Sequence, residues 1–497
     1  MSSLQKAFAA FTGASMIGSL TQVAKGKLTA VVLGPEGVGV LAQLTGVWSL
    51  FSVVSGFGFY NGMVRHLAGH WHEEDRAAMR RHMSSSALFL LGISLMLALL
   101  GVIFSPQISA LVFDDAGART NLVALILISI PVFVMSQVYR AMLNATRSVN
   151  AIVRARIYAD VSSVVVLAVL IWPLGMVGAI MGYIGLHLLF LTYTVWFTHH
   201  TLGADLVVPS ARDFRWSDIR RNLGFGISGL IAAGIGILTM LTVSRWIILD
   251  LGLAQAGIYA MALKVSSVYL GGLSGAAGGY YFPTLAASKT NCERDGHINA
   301  TLSLYMYLIP PIIVVLMAGG DIMMLILFSA EFIPAAALLL LLLPGDLFRI
   351  AAETMAMPLL VEKRLVIHTG LYGFWAALYL GFAAWLMPQM GSSGAALAYV
   401  GAQAIYVTVV FFTLQGLLGY KISAGCVQSL LRGLALVGTV AFVQWTQDRW
   451  IGYGLSTALL LVWSALSMRD PAFAKLAHSG LYKLGLARAR NKGTSDK

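Results

Sequence analysis

Charged residues are scarce in this sequence. Asp, Glu, Lys and Arg make up 11% of 497 residues, against about 25% in an ordinary soluble domain. Apolar residues account for 58% of the chain, and the mean hydropathy is +0.80. This balance excludes a soluble globular protein and indicates a polytopic membrane protein.

Cysteines and long outer loops are also scarce. The only two cysteines, Cys292 and Cys426, are too far apart in sequence to indicate a disulfide framework or a cysteine-based metal site. The connections on the outer side are short, at about 5 to 15 residues, and a glycan polymerase or ligase would need a larger outer loop for its acid and base. We therefore expect a protein that is not an enzyme, with no catalytic residue, no cofactor and no metal.

Long apolar runs are abundant. A hydrocarbon core of about 30 Å takes roughly 20 helical residues to cross. Fourteen stretches reach that length, beginning near residues 8, 38, 84, 120, 157, 175, 223, 254, 299, 332, 366, 393, 425 and 450. Their continuous apolar character favours helices over the alternating strands of a membrane barrel. The sequence therefore predicts an all-α protein with about fourteen transmembrane helices.

The positive charges concentrate in every second connection. If the N-terminus is cytoplasmic, 26 of the 33 Lys and Arg residues fall in inner connections or in the tail, and three fall at the outer boundary. The positive-inside rule therefore predicts that both termini lie in the cytoplasm. Loops that face anionic lipid also account for the net charge of +12, which argues against a nucleic-acid partner.

The chain contains an internal repeat. Residues 175–185 and 391–401 share the pattern G-x-x-G-A-x-x-x-Y-x-G at an offset of 216. Further glycines match at an offset of 218: Gly34 with Gly252, and Gly39 with Gly257. Because each copy holds six spans, an even number, the two copies have the same orientation in the membrane. Such a parallel repeat is an architecture of alternating-access transporters.

These patterns predict the organisation of the chain. It comprises an N-terminal lobe of spans one to six (1–202), a cytoplasmic linker (203–222), a C-terminal lobe of spans seven to twelve (223–418), spans thirteen and fourteen (419–468) and a basic cytoplasmic tail (469–497). The substrate of such a transporter is expected to bind between the two lobes, near the middle of the membrane.

Four cations lie within or at the ends of spans one, seven and eight. Placing such a charge in a membrane costs on the order of 2.5 to 3.5 kcal/mol on insertion scales, so it usually faces a partner or a wet cavity. Lys27 precedes Gly34 by seven residues, as Arg245 precedes Gly252. We predict that Lys27 and Arg245 face each other across a cavity and bind a phosphate or pyrophosphate, with Lys25 and Lys264 as further candidates.

Several segments resemble a known family. Residues 26–39 (GKLTAVVLGPEGVG), 56–62 with Arg65 and Ala68, 280–285 and 345–349 are similar to Wzx-type polysaccharide flippases of the multidrug/oligosaccharidyl-lipid/polysaccharide exporter superfamily. The likeness is to translocases of lipid-linked O-antigen or enterobacterial common antigen units. It covers residues 1–418, and the last two spans and the tail are additional to the twelve-helix form.

The resemblance implies a flippase of the bacterial inner membrane. It would move an undecaprenyl-pyrophosphate-linked oligosaccharide by alternating access, with a polysaccharide polymerase and a chain-length regulator as possible partners. Trp48, Tyr60 and Asn61 in span two are then candidate sugar contacts. Asp346 and Arg349, spaced i, i+3 near the inner end of span ten, are candidates for a gate or for coupling to protons or sodium.

Other functions remain open from the sequence. A lipid II flippase of peptidoglycan synthesis needs the same anion chemistry. A multidrug cation antiporter of the same superfamily would offer buried carboxylates, but spans one, two, seven and eight have no acidic residue in their middles. A scaffold without transport activity would tolerate replacement of the cavity cations.

Overall fold

The described part of the chain is almost entirely helical. The computed structural model describes residues 3–114, 117–223, 227–276 and 281–469. Within these ranges it contains α-helices and short 3₁₀ turns and no extended strand, which confirms the all-α prediction. Tyr280 of the segment 280–285 lies outside the described residues, as does the predicted tail from residue 470 onward.

Eighteen α-helices are found in the described ranges. They are α1 (Ser3–Gly56), α2 (Phe59–His72), α3 (Arg76–Ile103), α4 (Ser105–Phe113), α5 (Thr120–Leu127), α6 (Ile130–Ala145), α7 (Val149–Leu202), α8 (Trp216–Leu223), α9 (Ile227–Leu251), α10 (Leu253–Ala276), α11 (Phe282–Ala286), α12 (Asn291–Ala318), α13 (Gly320–Leu327), α14 (Ala335–Val361), α15 (Leu365–Met390), α16 (Ser392–Leu418), α17 (Ala424–Thr446) and α18 (Arg449–Arg469).

The helix lengths agree with about fourteen membrane crossings. Ten helical stretches of the described residues are long and apolar enough to span a membrane. Two of them, Ile17–Gly56 in α1 and the 54-residue α7, are long enough to cross twice. The helices α10 and α18, with 24 and 21 residues, also reach the length of a bilayer core at 1.5 Å per residue. The chain is therefore a multi-pass membrane protein.

Glycines with left-handed backbone separate successive spans. Gly34 (φ 62°) interrupts α1 and Gly175 (φ 53°) interrupts α7, while Gly252 (φ 86°) and Gly391 (φ 59°) follow α9 and α15. Glycine adopts this conformation without the steric penalty that other residues incur. These four positions are the repeat partners from the sequence, so the repeat recurs in the backbone conformation of the turns.

The helical segments that follow Gly34 and Gly252 are related by the repeat, and they cross each other at Gly39 and Gly257. A side chain at Gly39 would overlap with the carbonyl oxygen of Leu253, and a side chain at Gly257 would overlap with the carbonyl oxygen of Pro35. The contacts are reciprocal, because a Cβ on Gly257 would lie 2.9 Å from the nitrogen of Gly39, and a Cβ on Gly39 would lie 3.1 Å from that of Gly257. The crossing therefore requires glycine at both positions.

A second pair of glycines also packs alike in the two repeats. A Cβ at Gly178 would overlap with the carbonyl oxygen of Leu170, and a Cβ at Gly394 would lie 2.5 Å from the carbonyl oxygen of Leu386. Gly394 and Leu386 lie 216 positions after Gly178 and Leu170, so the second contact repeats the first. In both repeats, the close antiparallel packing of one span on the next thus requires a glycine.

Backbone proximity divides the described residues into two units. The first holds residues up to 264, 324–333 and 365–395, and in it α1 packs against α7, α3 and α9, while α9 packs against α15. In the second, built from residues 265–323, 334–364 and 396–469, α12 packs against α14, α17 and α18. The lobe and linker boundaries from the sequence stay a prediction.

Replacing Gly39 or Gly257 by alanine is expected to destabilise the protein, because each methyl group would overlap with a main-chain carbonyl. We expect each variant to lose about 1 to 3 kcal/mol of unfolding free energy. The double variant should lose less than the sum, since both methyl groups widen one crossing. The measurement is the midpoint of thermal unfolding in detergent.

The matched control for this prediction is Gly69→Ala. Gly69 is exposed on α2, and a Cβ there would meet nothing within 4 Å, so the midpoint should stay or rise. Wild-type midpoints for both Gly39→Ala and Gly257→Ala would contradict the crossing.

Candidate functional site

The first unit contains a cavity lined by the three predicted sugar contacts. Its volume is about 490 Å³, and its wall includes Trp48, Tyr60 and Asn61. The remaining polar lining comes from Ser49, Ser52 and Gln137. Hydroxyl and amide groups thus alternate with apolar side chains such as Leu90 and Phe133, a composition that suits a ligand with both polar and apolar faces.

A break between α1 and α2 shapes this cavity. Phe57 (φ 45°) and Gly58 (φ 65°) have left-handed backbone, which ends α1 at Gly56 and starts α2 at Phe59. Such a conformation is uncommon for a bulky residue like Phe57. The break lets residues of α1 and of α2 line the same space.

Trp48 is fixed in the cavity wall by its neighbours. Its side chain is 5% exposed, and the indole N–H donates to the Ser129 hydroxyl at 2.9 Å. One ring face stacks on His187, with 4.6 Å between centroids and 15° between planes. The edge of Phe133 packs against it at 4.9 Å. Only a small part of the indole therefore remains for a ligand.

Tyr60 and Asn61 are more accessible than Trp48. Asn61 is exposed and Tyr60 is half-buried. The Arg140 guanidinium lies 4.3 Å from the centre of the Tyr60 ring, and the Asn144 amide donates to the Tyr60 hydroxyl at 3.1 Å. These contacts hold the tyrosine ring in place and leave the Asn61 amide as the adaptable hydrogen-bonding group of the wall.

Lys25 is paired with the buried Asp160, which the sequence analysis did not predict as a site residue. Its ammonium donates to the Ser163 hydroxyl at 3.2 Å and lies 3.9 Å from the carboxylate of Asp160. Asp160 is 1% exposed and also accepts a hydrogen bond from Arg156 Nε at 2.7 Å. The i, i+4 spacing of Arg156 and Asp160 within a predicted span is the sequence pattern that could have indicated this ion pair. The carboxylate thus balances charge between α1 and α7.

Lys264 lies beside Gly26, next to Lys25 in sequence. A Cβ at position 26 would lie 3.1 Å from the Lys264 ammonium and 3.1 Å from the ring of Phe328. Glycine therefore leaves the space that the lysine head group occupies. The structure thus brings together two of the four predicted cations.

Lys27 and Arg245 have separate surroundings. Lys27 is exposed, and its ammonium donates to the main-chain carbonyl of Ile326 at 2.6 Å. Arg245 Nε is buried without a hydrogen-bond partner in the described part of the chain. That these two cations face each other across a cavity stays a prediction.

Asp346 lies in the second unit and is surrounded by hydroxyl groups. It is 1% exposed on α14. Three hydroxyls donate to its carboxylate, from Ser266 at 2.6 Å, Tyr399 at 2.9 Å and Tyr269. Arg349 Nε forms an ion pair with Glu353 at 2.8 Å, one turn further along the helix. Hydroxyl groups thus bind the acid of the predicted gate, and the arginine pairs with a second carboxylate on the same helix.

Three histidines cluster at the ends of α2 and α3, and the sequence analysis did not predict this cluster. The rings of His66 and His70 lie 5.4 Å and 5.8 Å from that of His82. Despite this proximity, no group of three or more His, Cys, Asp or Glu side chains among the described residues is arranged to hold a metal ion.

The chain can be placed in a family. Residues 6–289, more than half of the sequence, match the family described as polysaccharide biosynthesis protein. The chain belongs to this family. A curated relative, the lipid III flippase of Escherichia coli strain K12, is 21% identical over 401 residues, which cover 77% of this chain and 91% of the relative.

Two solved structures show the fold. An inward-facing multidrug resistance MATE family transporter of the MOP superfamily has a TM-score of 0.71 at 14% identity, over 81% of this chain and 94% of that one. The lipid II flippase MurJ in an inward closed conformation has a TM-score of 0.67 at 14% identity, over 93% and 99%. The predicted fold is therefore confirmed and the family is shown, while the superfamily and the Wzx-type specificity stay predictions.

Replacing Asp160 by asparagine is expected to destabilise the protein, because Lys25 and Arg156 then lose their buried counter-charge. We expect the free energy of unfolding to fall by on the order of 1 to 3 kcal/mol. This is less than the loss for a fully buried ion pair, because Arg156 is 43% exposed. Combining Asp160→Asn with Lys25→Met should restore part of the loss. The free energy of unfolding in detergent gives the coupling through a double-mutant cycle.

Glu353→Gln is the control for this cycle. Its ion pair with Arg349 is more than one third exposed on both sides, so its removal should change the unfolding free energy by less than about 1 kcal/mol. An Asp160→Asn variant as stable as the wild type would show that Asp160 does not balance Lys25.

Proposed function

We propose that this protein is a flippase that moves an undecaprenyl-pyrophosphate-linked oligosaccharide across the bacterial inner membrane by alternating access. The observation that carries the proposal is the set of cations inside the predicted spans of the first unit, which also contains a cavity with uncharged polar groups in a mostly apolar wall. An anion with attached sugars matches both features.

The pyrophosphate supplies acceptors that the cations need. Arg245 Nε is a buried donor without a hydrogen-bond partner among the described residues, and leaving such a group unpaired in a membrane is costly. A phosphate oxygen can accept from the guanidinium fork, and Lys27 can release the Ile326 carbonyl to bind a second oxygen. Lys27 and Arg245 are therefore proposed as the main pyrophosphate contacts.

Lys25 and Lys264 form a second group of cations around Gly26. Asp160 balances Lys25 when no substrate is bound, and an entering pyrophosphate would compete with this carboxylate. Such an exchange avoids leaving a bare lysine in the membrane at any stage. We propose that this group receives the pyrophosphate during movement between leaflets.

The cavity is proposed to hold the sugars. Its lining, as described, contains serine, asparagine, glutamine and tyrosine groups and no lysine, arginine, aspartate or glutamate. Such groups bind sugar hydroxyls through neutral hydrogen bonds, and the edges of Tyr60 and Trp48 supply apolar contact. The polyprenyl tail would remain in lipid.

The relatives support a lipid-linked sugar as the substrate. They do not distinguish between two such substrates. The curated relative is named a lipid III flippase, and a structure of similar fold is a lipid II flippase. Lipid II is therefore the alternative substrate. A multidrug cation antiporter is disfavoured, because Asp160 is already bound by two cations and Asp346 by three hydroxyls. A polysaccharide polymerase and a chain-length regulator are the proposed partners.

The test of the site uses Lys27→Ala and Arg245→Ala in reconstituted vesicles. Each variant should lower the rate of translocation of undecaprenyl-pyrophosphate oligosaccharide by about 10- to 100-fold, the range expected when a charge-assisted hydrogen bond is lost. Asn61→Trp, which fills the cavity, should block the oligosaccharide but retain binding of undecaprenyl pyrophosphate without sugars. Native mass spectrometry measures that binding.

Lys421→Ala is the control for the charge change, because Lys421 is exposed in a connection outside the spans. It should translocate at the wild-type rate. Wild-type rates for both Lys27→Ala and Arg245→Ala would exclude the paired site. Faster transport of lipid II than of the polysaccharide precursor by the wild type would favour the alternative substrate.

Asp346 is proposed to couple transport to a proton or sodium gradient, with Arg349 beside it as part of a gate. If a cation must bind the carboxylate, Asp346→Asn should abolish the acceleration of transport by an imposed gradient and retain the slow rate without one. Glu353→Gln serves as the comparison, since it removes a carboxylate from the same helix. Transport by the wild type that is indifferent to every ion gradient would refute coupling.

A further inference from the structure

The segment after α7 has two chemically different faces. This connecting segment, residues 203–222, contains three acids, and each contacts α3. Asp205 lies 3.4 Å from Arg76, Asp213 lies 3.0 Å from Arg80, and Asp218 accepts from the Ser85 hydroxyl at 3.4 Å. Each negative charge of the segment is therefore paired with a group of α3, although Asp205 remains exposed.

Main-chain and amide groups reinforce this inner face. The main-chain N–H groups of Ser210 and Arg215 donate to the hydroxyls of Ser84 (3.1 Å) and Ser85 (2.8 Å). The side chain of Asn222 donates to the Ser86 hydroxyl at 3.1 Å. The three serines of α3 are fully buried by the segment and its neighbours. The segment is thus firmly attached to the start of α3.

The exposed residues of the segment are rich in positive charge and apolar side chains. Its four arginines are all exposed: Arg212, Arg215, Arg220 and Arg221. Among them stand exposed apolar side chains, namely Val208 (71%), Phe214 (39%) and Trp216 (49%). In the short helix α8, the apolar Ile219 is buried, so the helix turns one apolar side inward and its arginines outward. Four cations with aromatic side chains therefore face away from the protein.

The place of the segment in the chain puts this face at a membrane boundary. It directly follows Leu202, the last residue of the spanning helix α7, and packs on the first turns of the spanning helix α3. Tryptophan favours the headgroup level of a bilayer, and each basic residue near an anionic surface adds about 1 kcal/mol of attraction. The composition of the outer face matches that environment.

We propose that the connecting segment is an in-plane membrane anchor that binds anionic phospholipid headgroups. The complementarity of charge favours lipid over a protein partner, because each acid of the segment is already paired with a group of α3 and the four arginines remain exposed. The anchor would tether the start of α3, whose Leu90 lines the proposed sugar cavity. The lipid composition of the leaflet would then bias the shape of that cavity.

The experiment places a polarity-sensitive fluorophore on the segment. The labelled variant is Ser217→Cys in a Cys292→Ser background, since Ser217 is exposed and Cys426 is buried. The protein is reconstituted in nanodiscs of phosphatidylcholine alone, or with one quarter phosphatidylglycerol. We expect the emission to shift to the blue with the anionic lipid. The shift should vanish near 1 M salt, where the Debye length is about 3 Å.

Substitution of the four arginines by glutamine should remove the shift. At about 1 kcal/mol each, every arginine changes the membrane partition of the segment by about fivefold. Substitution by lysine at the same four positions should preserve the shift, because headgroup attraction needs charge and not guanidinium geometry. The lysine variant also shows that loss of the shift does not come from misfolding.

A matched control replaces three other exposed arginines of the first unit by glutamine: Arg81, Arg147 and Arg154. This variant should keep the shift, which locates the effect in the segment. Equal emission in neutral and anionic nanodiscs for the unsubstituted segment would overturn the proposal. So would a shift that persists in the glutamine variant. Both readouts are independent of the transported substrate.

Discussion

The close crossing of two first helical turns sets the geometry of the first unit. Gly39 and Gly257 bring the backbones together with no side chain between them, and the carbonyls of Pro35 and Leu253 lie against the glycine Cα atoms. In a membrane, helices gain little from burying apolar groups against each other, so close packing of small residues takes over that role. This contact brings the backbones of α1 and α10 together.

The site combines two ways of keeping charge in an apolar environment. Lys25 has a permanent counter-charge in Asp160, which it shares with Arg156. Lys27 and Arg245 have weaker or missing partners, a carbonyl for the lysine and none for one guanidinium nitrogen among the described residues. A transporter of anions needs both kinds, because fully neutralised cations would not attract the substrate and fully bare ones would destabilise the span.

Local patterns predicted the parts of this protein that depend on local chemistry. Apolar runs indicated the spans, and glycines at the repeat offsets indicated the turns at Gly34 and Gly252, because each depends on residues that are neighbours in sequence. Trp48, Tyr60 and Asn61, named as candidates from span two, line one cavity, and their role as sugar contacts stays a prediction. Their partners, such as His187, came only with the packing of distant helices.

The sequence did not predict the partner of Lys25. Asp160 is more than a hundred positions away, and periodicity shows which face a residue occupies but not which helix it meets. Asp160 lies on α7 and Lys25 on α1, so no local spacing connects the acid to the lysine. The same holds for Asp346, whose hydroxyl donors come from two other helices.

The contact between Gly26 and Lys264 carries an evolutionary consequence. The lysine head group fills the space that a side chain at position 26 would occupy, so the two positions cannot vary independently. Homologues that acquire a larger residue at the first position should have a shorter or smaller one at the second. Covariation of this pair would then trace, across the family, how the lysine beside Gly26 was gained or lost.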